Sequence, residues 1–208
     1  VSAVETVIGS TGSSDLLRLI TAGDHVSLSA VDTVVGTGAG NSDAIVMLAT
    51  EAIAVSALDS VIGSGGGDTV RILGGGTVSV DQVASVVGGT GASDAVAMIS
   101  GASISVTAVE TVTGTTGTSD LVRMLGAGTL ATSAVDTVVG SIAGTDVLQL
   151  LGSGENIAIS AIETVRGTSG TDVATLMVAG GLLVSGVETV VGTAGTDSVS
   201  LLSPGAIA

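Results

Sequence analysis

The chain contains no Cys, Phe, Tyr, Trp or Lys, and only four Arg, one His and one Pro. Each absence excludes something. Without Cys there is no disulfide framework, thiol nucleophile or thiolate metal site. Without aromatics there is no platform on which nucleobases stack. Four scattered Arg against a net charge of −15 argue against nucleic acid and anionic membrane as partners. Apolar runs are broken every few residues by Gly, Ser, Thr or Asp, so no stretch reaches the ~18–20 residues of a membrane helix, and no membrane insertion is expected. His25 is the one His and sits in a variable turn, so neither a Ser–His–Asp triad nor a His-ligated metal can be assembled. The glycine-rich turns lack the Lys and the helix of a phosphate loop. No enzyme is expected, and no catalytic residue is assigned.

What is present is a repeat. AVETV at Ala3–Val7 returns as AVDTV from Ala30, ALDSV from Ala57, QVASV from Gln82, AVETV from Ala108, AVDTV from Ala134, AIETV from Ala161 and GVETV from Gly186. The 208 residues divide into eight repeats of about 26, each close to V-[ED]-T-V-x-G-[TS]-x-G-x-[TS]-D-x-V-x-L-L-x-G-x-x-[VI]-x-[VI]-S-A. This predicts a single solenoid array over 1–208. Joining Ala206–Ala208 to Val1–Ala3 spells AIAVSA, the string at Ala52–Ala57, so the expectation is a segment of a longer array or a piece that stacks on its own copies.

Short β-branched runs and frequent Gly favour strands over helices. After each turn Asp the second and fourth residues are mostly apolar, as in Leu17 and Leu19, Val70 and Ile72, Leu148 and Leu150. A second run alternates Val26 and Leu28, Ile53 and Val55, Ile157 and Ile159. The third is the V-E-T-V segment, whose valines lie three apart, as Val31 and Val34 do, which implies a corner at the acid–Thr pair because a flat strand would space them by two. The expected fold is all-β: a parallel β-solenoid, β-helix or β-roll-like, of eight coils with three short strands each. At ~4.8 Å per coil it would be about 38 Å long, with equivalent side chains stacked around a dry aliphatic core.

Fifteen of the 19 acids then fall in two rows. The corner row is Glu5, Asp32, Asp59, Glu110, Asp136, Glu163 and Glu188, broken by Ala84. The glycine-turn row is Asp15, Asp43, Asp68, Asp94, Asp120, Asp146, Asp172 and Asp197. Stacked in register, like charges ~5 Å apart would repel by roughly 1 kcal/mol per pair in water. Two explanations stay open for the glycine-turn row. A divalent cation, calcium above all, takes carboxylate and turn-carbonyl oxygens. Alternatively each Asp caps its own turn by accepting backbone N–H groups. The corner row fits hydrogen-bonded structure better.

At these residues the chain resembles the hemolysin-type (RTX) repeats of secreted bacterial proteins, whose nonapeptide is G-G-x-G-x-D-x-U-x with U a large apolar residue. Gly192–Ser200, GTAGTDSVS, fits except at the second Gly; Gly167–Thr175, GTSGTDVAT, and Gly63–Arg71, GSGGGDTVR, fit more loosely. The resemblance implies type I secretion, a parallel β-roll, and calcium held between turns by Asp68, Asp172 and Asp197, with Asp15, Asp43, Asp94, Asp120 and Asp146 following by repeat position. This chain carries one degenerate copy per ~26-residue repeat where the standard roll has two nonapeptides per ~18-residue coil. It looks most like the acidic arrays of large surface and matrix proteins.

The expected function is a structural extracellular repeat segment, of a fibre, surface layer, adhesin or matrix, on or outside a bacterial cell, with calcium as its only cofactor and copies of itself as partners. The alternative is the calcium-dependent secretion module of an exported enzyme or toxin. An ice-binding solenoid also uses Thr files, but here the second file mixes Thr with Ser and runs into a turn.

Overall fold

The fold is that of a computed structural model, describing residues 4–12, 14–38, 40–90, 93–117 and 119–202. The joined termini, Val1–Ala3 and Ala206–Ala208, lie outside the described residues. The chain forms two compact segments, Val1–Val109 and Glu110–Ala208. Among the described residues both hold short strands joined by turns and bends, with no helix.

The N-terminal segment holds β1 (Thr6–Ile8), β2 (Leu16–Arg18), β3 (His25–Ser29), β4 (Thr33–Val35), β5 (Ala44–Met47), β6 (Ala52–Ser56), β7 (Ser60–Ile62), β8 (Thr69–Ile72), β9 (Gly76–Asp81), β10 (Ser85–Val87), β11 (Asp94–Met98) and β12 (Ser103–Thr107). The C-terminal segment holds β13 (Thr111–Thr113), β14 (Leu121–Met124), β15 (Thr129–Ser133), β16 (Thr137–Val139), β17 (Val147–Leu150), β18 (Asn156–Ser160), β19 (Thr164–Arg166), β20 (Val173–Leu176), β21 (Gly181–Ser185), β22 (Thr189–Val191) and β23 (Ser198–Leu201). In each segment odd-numbered strands pair in parallel with odd, and even with even, so a strand hydrogen-bonds to the second strand along the chain, as β1 does to β3 and β2 to β4. Every connection therefore reverses the chain from one sheet to the other, and two strands close a coil.

The result is a parallel β-solenoid of about 11 turns of ~18 residues. The expected fold class holds, but eight coils of ~26 residues with three strands apiece are corrected to more numerous and shorter coils. The three strands per repeat are all present. A coil uses only two of them, so each repeat makes one and a half turns and the next begins on the opposite sheet.

Equivalent side chains consequently do not stack on one another in neighbouring coils. Along one sheet Leu17 pairs with Val34 and Val34 with Val55, which bring together the strand after the turn Asp, the V-[ED]-T-V strand and the second apolar run. Along the other, Val26, Ile45, Val61 and Val80 do the same. The uniform valine row thus becomes a ladder of mixed Val, Leu, Ile and Met. Leu28, Val34, Ile45 and Val61 are all fully buried, and each such side chain contributes about 1.5–3 kcal/mol on removal from water. Slim aliphatic side chains suit a core only one residue thick from each sheet; a ring would prise the sheets apart.

The corner stands one residue before the first valine of the V-[ED]-T-V motif. Ala30, Ala57, Gln82, Ala108, Ala134 and Ala161 adopt φ between 51° and 55°, and Gly186 does so at 63°. With this left-handed residue in the corner, both valines of the motif point inward: Val31 and Val34 are 2% and 0% exposed. A spacing of three on one buried face is thereby accounted for.

Candidate functional site: the aspartate turns

Each glycine-turn Asp sits where its chain leaves a turn and enters a strand, and most are sealed in. Asp43, Asp68, Asp146 and Asp172 are 0% exposed, and Asp94 and Asp120 are 1%. Asp15 and Asp197, on the outermost described coils, are half-buried.

Asp146 shows how these carboxylates are held. Its Oδ2 accepts the Ser141 N–H at 2.6 Å and the Ser141 hydroxyl at 3.0 Å, closing its own turn. Its Oδ1 accepts the Gly128 N–H at 3.0 Å, reaching back one coil. Its main-chain N–H donates to Glu163 Oε2 at 2.7 Å, and its carbonyl accepts the N–H groups of Glu163 and Thr164, reaching forward one coil. One residue therefore ties three successive coils. Asp172 repeats the arrangement, with Thr168 in its own turn, Gly154 and Glu155 behind and Glu188 ahead. Asp43 does so with Thr37, Gly23 and Asp24, and Asp59. The own-turn bond to Oδ2 recurs from Ser10, Ser64, Gly89, Thr115 and Thr193 to Asp15, Asp68, Asp94, Asp120 and Asp197.

The corner acids are hydrogen-bonded structure too. Asp32, Asp59, Asp136, Glu163 and Glu188 each accept the N–H of the turn Asp one coil earlier. At Ala84 there is no carboxylate to do this. Glu51 and Glu155 take a third role, receiving the N–H of the left-handed Ala30 and Ala134.

The glycine before each Asp turn completes the device. A Cβ on Gly140 would lie 1.9 Å from the carbonyl oxygen of Ala161, the left-handed corner residue of a neighbouring coil, and 2.8 Å from Asp146 Oδ2. Only glycine allows that carbonyl so close. Sequence reading finds the glycine and the Asp but not the corner residue they clasp. The signal for it was Gly186, a glycine where the other repeats carry Ala or Gln.

The half-turn offset separates the eight turn aspartates instead of gathering them. In the N-terminal segment Asp43 and Asp94 lie on one sheet, Asp15 and Asp68 on the other; in the C-terminal segment Asp146 and Asp197 lie on one, Asp120 and Asp172 on the other. Same-sheet neighbours are three coils, or about 14 Å, apart. A calcium ion binds oxygens at ~2.3–2.6 Å and cannot bridge that gap. Among the described residues no group of three or more Asp, Glu, His or Cys is placed to hold a metal. Calcium held by Asp43, Asp146 or Asp172 would have to share oxygens that already accept backbone N–H groups. His25 is not in a turn: it opens β3 and is exposed.

The electrostatics follow from the bonds. Burial pushes the Asp43 carboxyl up, but the Thr37 hydroxyl and the N–H groups of Thr37, Asp24 and Gly23 outweigh it and hold the group below its ordinary value. Burial acts likewise on Asp172 and is outweighed by the Thr168 and Glu155 N–H groups, the Thr168 hydroxyl and the Gly154 N–H. At Asp197 the Thr193 N–H leads and the pKa is again lowered. At Glu51 burial prevails, with Asp68 and Asp32 adding to it, and the pKa is raised. For the three Asp, the stability gained from the charged form is complete above the unfolded value near ~3.9 and is lost as pH falls through the lower folded values. Glu51 has the opposite sign, its charging opposing the fold as pH rises through its raised value. The Asp groups outnumber it. Circular dichroism is expected to show an intact β-signal at about pH 4.5 and cooperative loss only well below about pH 4.

Shallow surface grooves recur with the repeat. One is lined by Val55–Leu58 and Ile72–Val78, and its counterpart by Ile159–Glu163 and Leu176–Gly181. Another lies beside Ser10–Gly12, Ala30–Asp32 and Glu51, with a counterpart beside Thr115–Gly117, Ala134–Asp136 and Glu155. No family model, curated protein or solved structure matches the chain. The RTX resemblance therefore stands on its motif residues alone.

Proposed function

We propose that this chain is a structural repeat segment of an extracellular bacterial assembly, a fibre, surface layer, adhesin or matrix, whose work is to present a stable, acidic, stacked-coil surface and to associate with its own copies. The observation that carries the reading is the recurrence of every chemically notable feature. Carboxylates, clasped glycines and grooves return with each repeat or at multiples of it, which is how architecture is distributed and how a single active site is not. The high negative charge keeps such coils soluble and apart until specific contacts form.

The competing reading, a calcium-dependent secretion module, requires calcium to drive folding. The filled carboxylates support the first reading, in which backbone N–H groups already neutralise the turn Asp. The test is chelation. After EDTA the far-UV spectrum and melting temperature should be unchanged, and millimolar calcium should add no binding heat by calorimetry. A chelated chain that is unfolded and gains β-structure on calcium addition overturns the proposal in favour of the secretion module.

A further inference from the structure

Each strand that follows a turn Asp is entered and left through a turn, and the composition of these turns varies between repeats. β8 alone has three consecutive glycines on both sides, Gly65–Gly67 ahead of Asp68 and Gly74–Gly76 after Leu73. The matching stretches are GNS and ATE around β5, and GTS and GAG around β14. Glycine has the most conformational freedom to lose on folding, so each triplet weakens the hold on β8. All six glycines are exposed. A Cβ on Gly66 would lie 1.9 Å from Thr50 Oγ1, but one on Gly67 or Gly74 would meet nothing within 4 Å. Packing therefore does not require the missing side chain at those two positions.

The same strand lacks a bond that its counterparts have. The N–H groups of Asp15, Asp43, Asp120, Asp146 and Asp172 each donate to a corner carboxylate one coil ahead. The corner residue facing Asp68 is Ala84, which offers no acceptor side chain. The left-handed corner beside it is Gln82 at φ 54°, where the other repeats place Ala or Gly. Beyond Leu73 the chain borders an open groove lined by Val55–Leu58, Ile72 and Gly74–Val78. What holds β8 is its ladder to β6 and β10 and the burial of Val70 and Ile72, 0% and 5% exposed. In β14 the burial is the same, with Val122 and Met124 at 0% and 6%, and the Asp136 cap on Asp120 is added to it.

We propose that β8 is the strand at which the N-terminal segment opens: it leaves the sheet as a unit, swinging on its two glycine triplets, while β6 and β10 stay folded. Opening of one element in an otherwise native protein is the behaviour of a region of low local stability. The open form bares the facing edges of β6 and β10, and it places Arg71 on an extended, accessible stretch. The device belongs to the coil itself and does not depend on the role proposed above.

Trypsin reads this opening. The chain has no Lys, and its four Arg all lie inside strands: Arg18 on β2, Arg71 on β8, Arg123 on β14 and Arg166 on β19. Arg71 and Arg123 are matched sites, each three residues after its turn Asp and one after a fully buried Val. The folded full chain is digested at low trypsin, and its fragments are timed by mass spectrometry. Each rate is normalised to that of a peptide spanning the same site, so cleavage follows the population of the open form. Arg71 should be cut at least about tenfold faster than Arg123. Ala84→Glu, which supplies the missing acceptor, should slow the cut at Arg71 about fivefold. Gly67→Ala/Gly74→Ala should slow it about tenfold. Neither change should alter the rate at Arg123. Circular dichroism checks the fold of each variant, and the glycine pair carries the test if Ala84→Glu does not fold. Equal rates at Arg71 and Arg123, or a faster cut at Arg123, overturn the proposal. So does a fast cut at Arg71 that the glycine pair leaves unchanged.

Discussion

Adding a single methyl group at Gly140 should unfold much of the C-terminal segment. Gly140→Ala drives a Cβ to within 1.9 Å of the Ala161 carbonyl oxygen, and the third atom it meets is the buried Asp146 carboxylate at 2.8 Å. Neither neighbour can yield cheaply. The carbonyl belongs to a corner held at φ 52°, and the carboxylate is pinned by the Gly128 and Ser141 donors. We expect a loss of at least ~3 kcal/mol, read as a lower urea midpoint. Gly126→Ala is the control. Its Cβ would meet nothing within 4 Å, so it should be neutral or slightly stabilising. Equal losses from both substitutions would show that the clasp between glycine and corner is not what holds the coils.

Removing the carboxylate of Asp146 should cost about as much, by a different route. Asp146→Ala leaves the buried Ser141 N–H and the half-buried Gly128 N–H without their acceptor, at about 2–4 kcal/mol together. Asp146→Asn keeps the shape and one acceptor oxygen but turns an NH2 toward a donor, so about 2 kcal/mol is expected. Chemical denaturation checks the order Ala below Asn below wild type. Calcium should rescue neither variant. A wild-type-like Asn variant would mean that the charge on this group contributes nothing to the fold.

Much of the architecture was legible in the chain itself. Alternation at Val70 and Ile72, or at Ile157 and Ile159, marks strands with one buried face, and all of these residues are buried. The three-residue spacing of Val31 and Val34 implied a corner, but placed it at the acid–Thr pair and not at Ala30 ahead of the first valine, and Asp beside Gly and Thr left a self-capped turn as one of two readings. The angle of each turn was not legible. Strand periodicity says which side chains face inward but not whether a connection swings the chain through a third of a circle or a half, and that angle decides between three strands per coil and two. The same gap hid the partners of the carboxylates. The corner acid Glu163 was placed over its own kind, whereas it caps the N–H of Asp146 one coil earlier. A left-handed Ala is also silent in sequence, because Ala tolerates almost any setting. Only Gly186 betrayed the requirement.

The mismatch between three strands per repeat and two sheets has a genetic corollary. Duplicating or deleting a single 26-residue block would exchange the two sheets for all of the chain that follows, so that strands with an outward Arg would continue on the sheet where uncharged residues had stood. Changes made in pairs leave both surfaces as they were. A lineage selected to keep one side distinct should therefore lengthen and shorten such arrays by even numbers of blocks.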